Sequence, residues 1–201
     1  MEYPKIETLY ERDPVTFKVR PGVFKNSVYR LITEWQFTEK IDGTNIRCLW
    51  EDGQLSFGGR TANASIPADL ITWLYTTITV DKMRVAFPDA DAVIYGEGYG
   101  AGIQKGGAYS PIKKLIVFDV LVGAKWWLNW ENVCDVAGKL GLDVVPFLGT
   151  MPLGEATELV RRGFPSKLGN CPAEGVVGRP EEALFDKKGA RLIVKLKTKD
   201  F

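Results

Sequence analysis

Apolar and polar positions alternate through several short runs, and this pattern predicts β-strands. From Thr33 to Glu39 the chain alternates with Trp35 and Phe37 on one face, as expected of a half-buried strand. Further alternating or continuously apolar runs predict strands over 45–50, 54–58, 92–96, 114–122, 173–178 and 191–197. The turn signal at 51–53, between the first two of these runs, predicts a hairpin.

Three longer stretches have apolar residues at helical spacing and predict helices over 66–75, 129–140 and 153–162. Asn129 is a suitable cap for the second, and Gly141 and Gly163 follow the second and third, as glycine often does at helix ends. Alternating strands and three helices fit an α+β fold. The sequence has no repeats, linkers or low-complexity segments, so we expect one domain spanning 1–201.

The composition is that of an ordinary globular protein. Of 201 residues, 45% are hydrophobic and 25% are charged, which is enough to build a core. No apolar run approaches the roughly 20 residues of a membrane span, and the start at Met1 has no apolar signal region. We therefore expect a cytoplasmic protein.

Net charge limits how this chain can bind nucleic acid. A formal charge of +1 is too small for bulk electrostatic attraction, so such binding needs a local patch. The candidate patch lies near the carboxyl end and consists of Lys187, Lys188, Arg191, Lys195, Lys197 and Lys199.

The residue types that the chain lacks exclude several kinds of chemistry. There is no histidine, which excludes Ser-His and Cys-His pairs and histidine metal ligands. Cys48, Cys134 and Cys171 are far apart and odd in number, so they predict neither a zinc site nor a disulfide framework and indicate a reducing compartment. The glycine-rich stretch 98–107 matches neither the dinucleotide-binding pattern nor the P-loop. Chemistry must therefore come from lysine, carboxylates, arginine and a hard metal ion.

Lys40 is the first candidate for that chemistry. It ends a predicted strand beside the turn Asp42-Gly43, where a side chain is held rigidly and can be aimed at a ligand. For an arbitrary Lys-x-Asp-Gly, a surface lysine before a hairpin turn is the more common interpretation. Further polar segments, in a particular order, favour a nucleophile instead.

These segments each have a structural alternative. Arg60 follows two glycines and could hold a phosphate or a sugar edge, or it could be a solvated arginine. Glu174 stands at the entrance to an apolar strand. Lys195 and Lys197 share one face of the last strand, where lysines can also simply discourage edge-to-edge aggregation. Phe118, within an apolar strand, would usually be a core residue.

Together these segments give the chain its family resemblance. Over 33–201 it resembles the ATP-dependent RNA ligases, in the ligase 2-type branch of the covalent nucleotidyltransferase superfamily. The stretch Glu39-Lys40-Ile41-Asp42-Gly43-Thr44-Asn45 is similar to the nucleophile motif of that superfamily, and Asn45 favours the RNA-ligase branch over DNA ligases. The other similar segments, in the family's order, are Gly59-Arg60-Thr61, Tyr95-Gly96-Glu97, Val117-Phe118-Asp119-Val120, Glu174-Gly175-Val176-Val177 and Val194-Lys195-Leu196-Lys197.

The resemblance implies a role for each matched side chain. Lys40 takes AMP, Lys195 and Lys197 contact the nucleotide phosphates, and Glu174 serves the metal. The remaining nucleotide-binding residues implied are Glu39, Ile41, Asn45, Arg60 for the ribose and reacting phosphate, Glu97 for the ribose hydroxyls and Phe118 for stacking on adenine.

It also implies a fold and a set of ligands. The fold is a nucleotidyltransferase (ATP-grasp-like) domain with antiparallel sheets flanked by helices and ATP in the central cleft. The cofactors are ATP and Mg²⁺ or Mn²⁺, and the substrate is RNA with 5′-phosphate and 3′-hydroxyl ends.

Attack by Lys40 near neutral pH requires a neutral amine. A free lysine has a pKa of about 10.4, so the positive charges of Lys195, Lys197 and a bound cation are expected to lower it. With no histidine in the chain, Glu174, water and phosphate oxygens are the natural ligands of a magnesium ion.

Family members usually carry a further C-terminal domain, whereas this sequence ends at Phe201, directly after the last motif. We therefore expect no C-terminal accessory domain, and we keep the hypothesis that a partner protein replaces it. Three alternatives stay open: a DNA ligase or capping-type enzyme, a catalytically silent nucleic-acid-binding module of the same fold, and a lysine that forms a Schiff base.

Overall fold

The structure, a computed structural model, describes residues 1–61 and 63–201. Its strands are β1 (Glu7–Thr8), β2 (Tyr10–Arg12), β3 (Val19–Phe24), β4 (Trp35–Lys40), β5 (Thr44–Glu51), β6 (Gln54–Gly59), β7 (Ala92–Tyr99), β8 (Lys114–Val122), β9 (Trp126–Trp127), β10 (Asp143–Val144), β11 (Phe147–Met151), β12 (Gly175–Arg179) and β13 (Val194–Lys197). Its α-helices are α1 (Ala68–Thr77), α2 (Val80–Ala86), α3 (Trp130–Leu140) and α4 (Leu153–Arg162). Short 3₁₀ helices span Ser27–Leu31, Gly106–Ala108 and Thr198–Asp200.

The chain divides into two compact units. The middle unit contains residues 1–3 and 42–145, and the terminal unit contains residues 4–41 and 146–201. The boundary between Ile41 and Asp42 falls inside the Lys-x-Asp-Gly segment. The expectation of a single domain spanning 1–201 stays a prediction.

The middle unit is built on a mixed sheet with the strand order β10-β8-β7-β5-β6, to which β9 adds by pairing with β8. All of its pairs are antiparallel except that of β10 with β8. The apolar stripes of the helices pack on this sheet, because Leu70 and Leu74 of α1 and Val133 and Leu140 of α3 are fully buried in one cluster with its strands.

The terminal unit has a second sheet with the order β1-β13-β12-β4-β11, and β2 and β3 form a separate hairpin. Helix α4 buries Ala156 and Val160 in a core with Trp35 and Phe37 of β4. Gly178 of β12 lies against the Phe37 ring, which leaves no room for a side chain there. Each unit therefore has its own hydrophobic core.

The α+β class and the antiparallel pairing of most strands confirm the expected fold class. Helices α3 and α4 have the predicted bounds, apart from the cap residue Asn129, whose side chain accepts a hydrogen bond from the Asn132 amide. Helix α1 begins at Ala68 rather than Ile66, and β13 begins at Val194 rather than Arg191. Helix α2 was not predicted. Within the described ranges, no helix is both long enough and apolar enough to cross a membrane.

Candidate functional site

Three neighbouring strands of the terminal unit bring polar residues from distant parts of the chain into one row. Strand β12 lies between β4 and β13, and Gly175 is the cross-strand partner of both Lys40 and Lys197. Partners in adjacent antiparallel strands project to the same side of a sheet. Lys40 and Lys197 therefore flank β12 on one face, although Lys40 lies in the first quarter of the sequence and Lys197 close to its end.

Glu174 joins the two lysines. Lys40 Nζ donates to Glu174 Oε2 at 2.6 Å, and Lys197 Nζ donates to Glu174 Oε1 at 2.6 Å. The side chains are 21%, 16% and 22% exposed for Lys40, Glu174 and Lys197, so the group is shielded but reachable from solvent. Two ammonium groups and one carboxylate leave a local charge of +1, which favours an anionic ligand.

Backbone geometry fixes the position of Glu174. Gly175 has φ +155°, and a Cβ there would clash with the carbonyl oxygen of Leu196. The residue that follows β13 also holds this segment, because Thr198 donates from its amide to the Glu174 carbonyl at 2.9 Å. Only glycine allows β12 to approach β13 this closely, so the Glu-Gly pair places the carboxylate between the lysines.

Lys195 lies two residues before Lys197 on β13 and is half-buried. Its backbone pairs with Val177 of β12 and with Thr8 of β1. Strand alternation puts Lys195 on the same face as Lys197, as the sequence predicted.

Glu39 has a different environment from its neighbour Lys40. It is 1% exposed, and its carboxylate accepts hydrogen bonds from the Ser166 hydroxyl at 2.5 Å and the Lys167 amide at 2.9 Å. These bonds tie the segment at 166–167 to β4. Ile41 is 3% exposed, and its carbonyl oxygen accepts a second hydrogen bond from Lys40 Nζ at 3.4 Å.

Cys171, which lies near Glu39 in the terminal unit, does not offer an alternative nucleophile. Burial, followed by the negative charge of Glu39, raises the pKa of the Cys171 thiol, while the Ser166 hydroxyl opposes the shift. Complete burial raises the pKa of Cys48. Both remain thiols at neutral pH, and the thiolate is the reactive form.

In the middle unit, Asn45 and Glu97 are cross-strand partners on β5 and β7. The Asn45 Oδ1 atom is buried and has no hydrogen-bond partner among the described residues. Buried polar atoms are normally hydrogen-bonded, so this acceptor is positioned to take a donor from a ligand. Gly43 lies so close to Glu97 and Gly98 that a Cβ would clash there, which explains the glycine after Asp42.

Arg60 follows the end of β6 and is exposed. The two glycines before it approach protein atoms: a Cβ on Gly58 would lie 3.1 Å from Arg47 Nη2, and one on Gly59 would lie 2.7 Å from the Ala64 side chain. Arg47 also donates to the Gly59 carbonyl at 2.7 Å. Packing within the middle unit thus accounts for the two glycines.

Phe118 is the extra residue of a β-bulge in β8. Tyr95 and Gly96 of β7 pair with Asp119 and Val117, so the pairing register passes over Phe118. Bulges re-aim side chains, and Phe118 is half-exposed in a strand whose residues from Leu115 to Leu121 are otherwise buried.

Tyr3 has a place beside Phe118 that the sequence did not indicate. Its ring meets the Phe118 ring edge-on, with centroids 5.0 Å apart and planes at 78°, and its hydroxyl donates to Asp119 Oδ2 at 2.7 Å. Trp127 packs against the same tyrosine at 5.7 Å. Tyr3 lies 116 residues from Asp119 in the sequence, and a lone tyrosine at that distance carries no pattern that would have linked it to Phe118.

The predicted site residues thus fall into two sets. The terminal unit brings together Lys40, Glu174 and Lys197, with Lys195 on the same strand as Lys197 and Glu39 and Ile41 beside Lys40. The middle unit holds Asn45 and Glu97 as partners, and Arg60 and Phe118 on β-strands or their ends. Among the described residues, no group of three or more Cys, Asp or Glu side chains could hold a metal ion.

Comparison with known proteins gives one family. A profile described as RNA ligase matches residues 33–197, which include every residue named in the two sets above. No curated protein sequence matches the chain significantly.

Solved structures of a Naegleria gruberi RNA ligase have a similar fold. A mutant with ATP and Mn has a TM-score of 0.67 and 17% identity, covering 99% of this chain and 64% of that one. A second mutant with ATP and Mn gives 0.69 and 17%, covering 96% and 59%. A third with AMP and Mn gives 0.67 and 16%, covering 96% and 61%. The chain thus spans about three fifths of the length of these structures.

Proposed function

The chain belongs to the RNA ligase family, and we propose that it is an ATP-dependent RNA ligase that carries AMP on Lys40. One observation supports this above the others: the Glu174 carboxylate lies between the amines of Lys40 and Lys197, at 2.6 Å from each. A nucleophilic amine beside a second cation, both on rigid strands, suits attack on a polyphosphate.

The proposed reaction has three steps that balance in atoms and charge. The neutral Lys40 amine attacks the α-phosphorus of ATP, a phosphorus–nitrogen bond forms, the bond to pyrophosphate breaks, and the nitrogen loses a proton to solvent. A 5′-phosphate oxygen of RNA then attacks the same phosphorus, and Lys40 leaves as an amine after its nitrogen takes up a proton, which gives an RNA end capped by AMP. Finally, a 3′-hydroxyl attacks the RNA phosphate, loses its proton, and releases AMP.

The residues of the terminal unit have distinct tasks in this scheme. Glu174 holds and orients Lys40 Nζ until a proton leaves the amine. Lys197 and Lys195 donate to phosphate oxygens and stabilise the charge that grows on them during attack. Because these side chains stand on paired strands, little reorganisation is needed when the nucleotide binds.

The residues present fit Mg²⁺ or Mn²⁺ held in part by the nucleotide. Mg²⁺ is usually bound through one or two carboxylates plus substrate phosphates rather than by an all-protein cage. Glu174 offers one carboxylate, and no cluster of three such donors occurs in the described part of the chain. The ion, when bound, neutralises phosphate charge, while Glu174 is the protein residue that would hold it.

We also propose nucleotide-binding roles for residues of the middle unit. Asn45, with its unsatisfied buried oxygen, would accept a hydrogen bond, and Glu97 would accept from the ribose hydroxyls. Arg60 would contact the ribose and phosphate, and Phe118 would stack on adenine. Glu39 and Ile41 would shape the nucleotide site from the Lys40 side.

The substrate we propose is RNA with a 5′-phosphate end and a 3′-hydroxyl end, in the cytoplasm. The similar Naegleria gruberi structures contain ATP or AMP with Mn, which supports these as the cofactors here. A further hypothesis is that a partner protein helps to hold the RNA ends. Co-purification of proteins with the tagged full chain tests this hypothesis.

The experiment that tests the proposal is intact-mass measurement after incubation with ATP and Mg²⁺. We expect a mass gain of one AMP that Lys40→Ala abolishes. Lys139→Ala is the matched control, because Lys139 also pairs with a carboxylate, Asp135, but on the surface of α3. An undiminished AMP adduct in Lys40→Ala would refute the proposal, and a protein that never gains AMP would be a silent module.

The nucleic acid that the protein seals and the nucleotide that it captures distinguish an RNA ligase from a DNA ligase and a capping-type enzyme. Adding a 5′-phosphorylated RNA to the adenylylated protein should discharge the AMP and yield sealed RNA when a 3′-hydroxyl is adjacent. Sealing of DNA nicks alone would indicate a DNA ligase, and GMP capture would indicate a capping-type enzyme.

A further inference from the structure

The turn of the β2–β3 hairpin displays a phenylalanine in a strained conformation. Phe17 has φ +59° and is 69% exposed. Bulky side chains rarely adopt left-handed backbone conformations, since the Cβ then crowds the following carbonyl oxygen, and glycine or asparagine is usual there. The exposed ring gains little from packing, so the strain is of the kind that persists at functional positions.

The turn that carries Phe17 is held rigidly. Asp13 Oδ1 accepts hydrogen bonds from the Val15 amide at 3.0 Å and the Thr16 amide at 2.8 Å. The backbone closes with bonds from the Phe17 amide to the Asp13 carbonyl at 3.0 Å and from the Asp13 amide to the Lys18 carbonyl at 2.8 Å. The ring is therefore presented from a fixed base.

A chain of hydrogen bonds connects this turn to the strand that carries Lys197. Arg12 donates to the Phe17 carbonyl at 2.7 Å and to Asp200 Oδ1 at 2.8 Å. The second oxygen of Asp200 accepts from the Lys197 amide at 2.9 Å. Asp200 is 2% exposed, so this is a built connection within the terminal unit rather than a surface ion pair.

Exposed cations lie on this turn and beside it. Lys18, Arg20 and Lys199 are exposed, and Lys18 Nζ donates to the Lys199 backbone carbonyl at 3.1 Å, which ties the turn to the segment that follows β13. The Asp13 carboxylate faces into the turn, where its Oδ1 atom accepts hydrogen bonds from the Val15 amide and from the amide and hydroxyl of Thr16. An exposed aromatic ring flanked by cations is the arrangement that binds single-stranded nucleic acid.

We propose that the hairpin tip is a stacking platform for one base of single-stranded RNA, with Lys18, Arg20 and Lys199 contacting the flanking phosphates. This inference rests on the proposed function, to which it adds a contact that holds the RNA strand close to the Lys197 strand. Stacking on a ring tolerates every base, so the platform binds RNA without regard to its sequence.

Other occupants fit the tip less well. A stable protein interface buries about 800 Å² per partner, whereas the apolar surface of the turn is Phe17 and Val15, which are 69% and 81% exposed. Duplex RNA keeps its bases stacked inside the helix and offers none to a single ring. A single-stranded segment supplies both an open base and phosphates.

The test is fluorescence anisotropy with a short labelled single-stranded RNA and the full chain. Phe17→Ala should weaken binding by about 5- to 100-fold, the range expected for one stacked base, and Phe17→Trp should retain it. Trp126→Ala is the control, because Trp126 is a similarly exposed aromatic, at 72%, in the middle unit. Phe17→Gly should raise the thermal unfolding midpoint, by relieving the left-handed strain, yet bind RNA as weakly as Phe17→Ala.

Each outcome is decisive. Unchanged affinity in Phe17→Ala, an equal loss in Trp126→Ala, or an equal loss for blunt duplex RNA would overturn the platform. AMP capture by the wild-type chain is measured on the same preparation. AMP capture without Phe17-dependent RNA binding refutes this inference alone, and Phe17-dependent RNA binding without AMP capture refutes the proposed function alone.

Discussion

A single carboxylate between two lysines is the feature on which the proposed chemistry depends. Glu174 accepts hydrogen bonds from Lys40 and Lys197 at equal distances of 2.6 Å, so one negative charge is shared between two positive charges. Either lysine can therefore exchange its hydrogen bond to Glu174 for one to a phosphate oxygen. An ordinary surface ion pair, such as that of Lys139 with Asp135, contributes little by comparison.

Two substitutions of Lys197 distinguish the contribution of its positive charge to AMP capture from that of the position of its amine. Lys197→Ala should slow AMP capture by about 100-fold or more, the usual loss when one preorganised donor to a developing negative charge is removed. Lys197→Arg should recover part of that loss, because it keeps the positive charge but not the position of the amine. Single-turnover AMP capture followed by intact mass measures both, and a wild-type rate in Lys197→Ala would contradict the assigned role.

The thiol of Cys171 reports on the negative charge of the nearby Glu39 carboxylate. The pKa of its thiol is raised by burial and by the charge of Glu39, so less thiolate is present at neutral pH and alkylation is slow. Glu39→Gln removes one of these causes. We expect faster iodoacetamide labelling of Cys171 in Glu39→Gln at pH 7.5, and a smaller further gain on raising the pH.

Cys134, half-buried on α3 in the other unit, is the internal control for that labelling. Its rate should be the same with and without Glu39→Gln, as read by peptide mass spectrometry. Equal rates at Cys171 in both proteins would contradict the proximity of the thiol to the carboxylate.

Among the secondary-structure elements, β12 sets the geometry of the terminal unit. It pairs with β4 on one side and β13 on the other, so both lysines depend on its register. β12 lies so close to β13 at Gly175 that a Cβ there would clash with the Leu196 carbonyl oxygen.

Gly175→Ala should therefore destabilise the chain, by about 2 kcal/mol, from clash and backbone strain. Gly138→Ala provides the opposite case: Gly138 lies inside α3, and a Cβ there would have nothing within 4 Å of it, so the substitution should stabilise the chain by about 0.5–1 kcal/mol. Urea unfolding of the two variants beside wild type measures both changes. A neutral Gly175→Ala would show that β12 and β13 are farther apart than the structure has them.

In the middle unit, the bulge of β8 sets the orientation of a predicted nucleotide-binding residue, Phe118. It turns Phe118 out of the buried strand, and the Tyr3 ring supports it edge-on at 5.0 Å. The Tyr3 hydroxyl also bonds Asp119, at 2.7 Å, so one side chain braces both residues.

Tyr3→Ala should raise the KM for ATP about 2- to 10-fold, from the loss of one aromatic pair, while the maximal rate of AMP capture changes less. Tyr3→Phe keeps the ring and loses only the hydroxyl bond, so its KM should lie between those of wild type and Tyr3→Ala. Tyr75→Ala, which breaks the edge-on contact of Tyr75 with Phe57 in the same unit, is the matched control. An unchanged KM in Tyr3→Ala would show that Tyr3 does not position Phe118.

At the scale of the whole chain, the two units have separate cores, and each contains some of the predicted nucleotide-binding residues. Local patterns were enough for β4 to β8, β12, β13, α3 and α4, because their apolar spacing and end residues are strong signals, but they missed β3 and β11, which have six and five residues. They were too weak for α2, with seven residues, and for two- and three-residue strands such as β1, β2 and β10, whose pairing depends on contacts distant in sequence.

The same distinction applies to the candidate site. Family resemblance indicated Lys40, Glu174 and Lys197 from short motifs, and strand pairing brings them together. It did not point to Tyr3, Asp200 or the Ser166 hydroxyl, because each acts through long-range hydrogen bonds that leave no local pattern. The fit of ATP to a central cleft stays a prediction.

The central claim is that Lys40 is the amine that accepts AMP. The most direct measurement is to digest the chain after incubation with ATP and Mg²⁺ and to map the adduct by tandem mass spectrometry under conditions that preserve the phosphoramidate. We predict AMP on the peptide that contains Lys40 and on that side chain alone. AMP attached to Lys195, to Lys197 or to any other residue would contradict the account.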